Sequence, residues 1–111
     1  MVFDFSDIVK VRQVRCKTCL TFAYIVPCDV EKDLAEYLDW LGKSEYNLDV
    51  FKTFIIENNG YKMSTKIGDT IIKLSLPIDT DPNKDEIKQR FEQSIIRWLE
   101  GRLDINIKET I

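Results

Sequence analysis

The sequence predicts an α+β fold: an antiparallel sheet with two helices on one face, a ferredoxin-like (split βαβ) variant with additional strands. Two observations carry this. Short apolar runs rich in β-branched residues recur between turn residues, and two longer segments repeat their apolar residues at helical spacing. Taken in order these give two strands, a helix, a three-strand meander, a helix and a last strand, and removing one or two strands leaves β-α-β-β-α-β. With 111 residues, 44% hydrophobic and 32% charged, the chain has the composition of one folded domain spanning 1–111.

Ile8 to Cys16, with Ile8, Val9, Val11 and Val14, reads as the first strand. Leu20 to Val26 is a nearly continuous apolar run closed by Pro27 and reads as the second, so Cys16-Lys17-Thr18-Cys19 becomes a hairpin turn. Asp29 is placed as an N-cap, and Val30, Leu34, Tyr37, Leu38 and Leu41 follow at helical spacing up to Gly42. Trp40 falls off that stripe, in a position to cover a neighbouring loop.

Phe51 to Glu57 reads as a strand, and Asn58-Asn59-Gly60 is the strongest turn signal in the chain, because both residue types tolerate positive φ. Tyr61 to Lys66, the Gly68-Asp69 turn and Thr70 to Leu76 complete a three-strand meander that Pro77 stops. Asp81 then caps a helix with Pro82 at its first position. Ile87, Phe91, Ile95, Trp98 and Leu99 form its apolar stripe, widened by Ile96, and Gly101 is expected to end it. Leu103, Ile105 and Ile107 alternate with polar residues as a final short strand.

The chain carries a net charge of −3, which argues against general polyanion binding, because nonspecific nucleic-acid affinity comes from clustered Lys and Arg. The charge is segregated. From Ile8 to Cys28 there are four basic residues, Lys10, Arg12, Arg15 and Lys17, and no acid, whereas Asp29 to Val50 holds seven acids against Lys32 and Lys43. The amino terminus carries acids where a signal peptide needs a positive start, and no apolar run reaches the length of a membrane span, so a cytoplasmic protein without a membrane partner is expected.

There is no histidine, so the three cysteines are the chain's only soft metal ligands or redox groups. Zinc takes about four ligands, and Cys16, Cys19 and Cys28 supply three. A carboxylate, a water or a second copy would complete the site. A redox role needs a lowered thiolate pKa; Arg15 and Lys17 supply cations, but no helix follows the Cys-X-X-Cys segment. The simplest alternative makes the cysteines small side chains without chemistry. Lys10, Arg12 and Arg15, with Phe22 and Tyr24 on the next strand, sketch a sheet on which bases could stack, although the RNA-recognition signature is missing. A charged edge protected against unwanted pairing explains the same residues.

No P-loop, dinucleotide fingerprint, EF-hand or serine–histidine triad exists, so no catalytic residue is named. The expectation is a non-enzymatic protein-interaction domain that takes a protein partner or forms a homodimer. The apolar residues on both parities of Leu20 to Val26 and Thr70 to Leu76 support it. A small zinc-binding or redox-thiol protein is the alternative, and weak RNA binding through Lys10, Arg12 and Arg15 the second.

Overall fold

The computed structural model describes residues 2–15, 17–47, 52–58, 60–77 and 84–108. Its elements run β1 (Val2–Asp4), α1 (Phe5–Ile8), β2 (Lys10–Arg15), β3 (Cys19–Ile25), α2 (Leu34–Tyr37), β4 (Ser44–Asn47), β5 (Thr53–Asn58), β6 (Tyr61–Lys66), β7 (Ile71–Pro77), α3 (Lys84–Leu103) and β8 (Asn106–Lys108). A six-stranded sheet has the order β2-β3-β7-β6-β5-β4, and every neighbouring pair in it is antiparallel. β1 and β8 form a separate parallel pair. The α+β class with an antiparallel sheet is therefore present. The parallel neighbours that a split βαβ order brings together do not occur among the pairs of this sheet.

Alternation along each strand sorts the side chains into two faces. Phe22 and Tyr24 on β3 register with Leu74 and Ile72 on β7, these with Met63 and Thr65 on β6, and these with Ile56 and Phe54 on β5. All eight are buried. α3 lies over this face with Phe91, Ile95, Ile96, Trp98 and Leu99 buried, so the apolar stripe read from the sequence is the one that packs. The rings of Tyr24 and Phe91 meet with centroids 5.4 Å apart at a tilt, a favoured aromatic geometry.

Polar contacts fix where the helix sits. The Tyr24 hydroxyl donates to Glu92 at 2.7 Å, and Lys88 donates to the same carboxylate oxygen at 2.6 Å. Burial, with the Glu92 charge and hydrogen bond adding to it, pushes the Tyr24 pKa up, which keeps the phenol a donor. Trp98 Nε1 donates to Asp33, and Arg102 donates to that carboxylate's other oxygen, both at 3.2 Å. Trp40, off its stripe as read, donates its indole N–H to Ser94 at 2.8 Å and lies beneath the Arg90 guanidinium.

Several expectations are corrected. The helix read from Asp29 to Gly42 shortens to Leu34–Tyr37, because Val30 exchanges backbone hydrogen bonds with Gly68 and Asp69. The turns around α2 close through three-residue-back bonds, such as Leu34 N–H to Glu31 and Leu41 N–H to Leu38, a tighter winding than the α-helix. Its apolar residues Val30, Leu34, Leu38 and Leu41 are nevertheless buried, so the pattern located the core face. Ile8 ends a helical turn instead of opening a strand. α3 continues past Gly101 to Leu103, and Asp104, at φ 53°, supplies the left-handed residue that Gly101 was expected to supply. The final strand starts at Asn106 and joins β1 rather than the main sheet. β1 and β4 are strands beyond those expected. Cys16, Asn59, Asp81 and Pro82 lie outside the described residues, so the cap at Asp81 does too.

Replacing Tyr24 with Phe removes a hydrogen bond to a charged, half-buried acceptor and should lower unfolding free energy by about 1–3 kcal/mol in urea denaturation. A loss below about 0.5 kcal/mol would mean that Lys88 alone satisfies Glu92 and that the bond does not hold α3 in place.

Candidate interaction surface

The opposite parity of the sheet forms its other face, and no described residue on it is buried. The register lays these residues out in rows. One row crosses all six strands: Arg12, Ala23, Lys73, Ser64, Ile55 and Glu45. A second runs Val14, Thr21, Ser75, Lys62 and Glu57, and a third Lys10, Ile25 and Ile71, while Lys66 stands opposite Thr53. This face thus presents Lys10, Arg12, Lys62, Lys66 and Lys73 against the acids Glu45 and Glu57.

Among the described residues the one ion pair on the face is Lys62 with Glu57 at 3.6 Å, between two well-exposed side chains. Such pairs contribute little. Lys66 and Lys73 have no ion-pair partner among the described residues. They line a shallow groove of about 230 Å³ with Thr53, Ser64, Asp69 and Ile71. Thr21 and Ser75 hydrogen-bond to each other at 2.9 Å between β3 and β7. The result is a broad, open surface of ammonium groups, hydroxyls and half-buried isoleucines.

Lys10, Arg12 and Arg15 lie on β2, the end strand of the sheet, and all six residues of that strand are exposed. Lys10 and Arg12 point to the open face, and Arg15 shares the other parity with Leu20. Phe22 and Tyr24 point the opposite way from Lys10 and Arg12, into the core beneath α3. Lys88 sits over the Phe22 ring, 4.8 Å from its centroid. No aromatic side chain stands on the open face among the described residues. The strand register is what shows that Lys62, Lys66 and Lys73 share one face with Lys10 and Arg12.

Cys19 opens β3 and is disulfide-bonded, while Cys28 follows that strand and is a free cysteine. The strand between them spans roughly 20 Å at about 3.3 Å per residue, so the structure does not bring Cys28 to Cys19. Among the described residues no group of three or more His, Cys, Asp or Glu side chains gathers to hold a metal ion. Burial pushes the Cys28 thiol pKa up; nearby Arg102 opposes this, and Asp29 and Asp33 reinforce it. No described helix is long and apolar enough to cross a membrane. Compared with protein-family models, curated proteins and solved structures, the chain matches none.

Two outcomes follow. The combined variant Lys10→Glu, Arg12→Glu, Arg15→Glu should shift Tm by less than about 4 °C, because exposed side chains away from packing contribute little; a larger fall would assign β2's cations a structural role. Because its thiol is held protonated, Cys28 should react with iodoacetamide at pH 7.5 several-fold more slowly than glutathione. Faster reaction would make it an activated thiol.

Proposed function

We propose that the chain is a protein-interaction domain whose open sheet face receives an acidic partner. The observation that supports this reading is the division of the sheet: one face is sealed by α3, and the other carries five cations, the acids Glu45 and Glu57, Asp69 in its groove, and half-buried Ile25, Ile55 and Ile71. A net positive charge spread over a mixed apolar and hydroxyl surface favours a complementary partner and steers its approach. A second copy stacked face to face would set these cations against one another, so the partner is taken to be a different, acidic protein. Single-stranded RNA is a weaker fit, because sheet-face recognition of bases relies on exposed rings, and Phe22 and Tyr24 are in the core.

Site-specific photo-crosslinking in the source cells tests this. A benzoylphenylalanine at Ser64, on the open face, should give a discrete protein adduct, and one at exposed Arg97 on α3 should not. The adduct should disappear when Lys62, Lys66 and Lys73 are changed to Glu. Equal crosslinking from both positions, an adduct indifferent to the charge reversal, a nucleic-acid adduct, or a product of twice the chain's own mass would each overturn the reading.

A further inference from the structure

We propose that β2 is an acceptor edge for an acidic β-strand from another protein, a binding mode separate from occupation of the open face. β2 ends the sheet, pairing only with β3 among the described residues, so its outer edge offers backbone donors and acceptors to a further strand. Its six residues, Lys10-Val11-Arg12-Gln13-Val14-Arg15, are exposed, which leaves space for an added strand on both sides of the pleat.

Val11 and Val14 are 42% and 60% exposed, two of the three large exposed hydrophobic residues among those described. They lie on opposite faces of the ribbon, between cations. Charges on an edge strand ordinarily block pairing with like strands. Here every charge is positive, so pairing with a second β2 would crowd Lys10, Arg12 and Arg15 of both copies along one seam. A strand with acids at those positions finds the same charges attractive. The residues that exclude self-pairing therefore select the partner.

Register specifies the sequence selected. In an antiparallel pair each residue faces one partner residue on the same side of the sheet, and opposite charges or apolar pairs placed there stabilise the pairing. Reading the partner from its own N-terminus, the positions opposite Arg15 back to Lys10 call for acid, apolar, polar, acid, apolar, acid. Glu-Val-Thr-Glu-Val-Glu satisfies this pattern, and Lys-Val-Thr-Lys-Val-Lys is its charge inverse.

Fluorescence anisotropy with a labelled 12-residue peptide, carrying the acidic hexapeptide between Gly-Ser flanks, measures the interaction. Wild-type protein should bind it with a Kd on the order of 10–100 μM at low salt, weakening as salt screens the charges. Lys10→Glu, Arg12→Glu, Arg15→Glu should weaken binding at least about tenfold, and the lysine peptide should bind that variant but not the wild type. The variant Lys62→Glu, Lys66→Glu, Lys73→Glu should stay within about twofold of wild type, which separates the β2 edge from the open face. No binding up to about 1 mM, equal binding of a scrambled peptide of the same composition, or tighter binding of a 12-nucleotide oligouridylate would overturn the proposal. Failure here with charge-dependent crosslinking at Ser64 intact would discard the edge and leave the open-face reading standing.

Discussion

The packing of one long helix across one face of the antiparallel sheet governs the rest of the molecule. α3 contributes Phe91, Ile95, Trp98 and Leu99 to the core, and β3, β5, β6 and β7 contribute Phe22, Tyr24, Phe54, Ile56, Met63, Ile72 and Leu74. Burying each large apolar side chain is worth about 1.5–3 kcal/mol, so this layer dominates the favourable side of folding. The contact also spends the sheet's aromatics. Phe22 and Tyr24 must face α3, and strand alternation then commits Thr21, Ala23 and Ile25 to the other side.

Polar groups sharpen that packing. Glu92 receives both Tyr24 and Lys88, Asp33 receives Trp98 and Arg102, and Ser94 receives Trp40. No buried side-chain nitrogen or oxygen among the described residues lacks a partner, which is the condition under which polar groups in a core specify one arrangement rather than weaken it. Cations elsewhere are free to point outward. Lys62, Lys66 and Lys73 share parity with Lys10 and Arg12, so a chain of net charge −3 nevertheless presents one cationic sheet face. Acids concentrate around α2 instead, at Asp29, Glu31, Asp33, Glu36 and Asp39. The segregation seen along the chain becomes a segregation between surfaces.

Much of this was legible in the chain. The β2–β3 and β5–β6–β7 connections followed from apolar runs and Gly turns, with Gly60 and Gly68 at φ 88° and 90°, and the α3 stripe from 3.6-residue spacing. Residues 29–42 were misread because helical spacing reports which side chains are buried, not how the backbone is bonded. Val30 is held by the Gly68–Asp69 turn, a long-range contact with no local signature. β1 and β4 are three and four residues long, too short to show alternation, whereas the alternation around Ile105 and Ile107 located β8 without showing that it pairs with β1. The candidate surface was half legible: Lys10, Arg12 and Arg15 stood out as a cluster, but their alliance with Lys62, Lys66 and Lys73 depends on the order in which strands pair. The cysteine reading leaned on proximity in sequence, and β3 carries Cys28 far from Cys19.

One-sidedness of the sheet is the central claim, and methyl NMR with dissolved gadolinium chelates tests it most directly. The methyl groups of Ile25, Ile55 and Ile71 should broaden strongly, and more with an anionic chelate than with a neutral one, because they sit among Lys10, Lys66 and Lys73. Those of Ile56, Ile72 and Ile95 should be shielded from both. Equal protection of the two sets in the isolated monomer, or open-face broadening indifferent to the chelate's charge, would contradict an exposed cationic face and remove the physical basis for an acidic partner there.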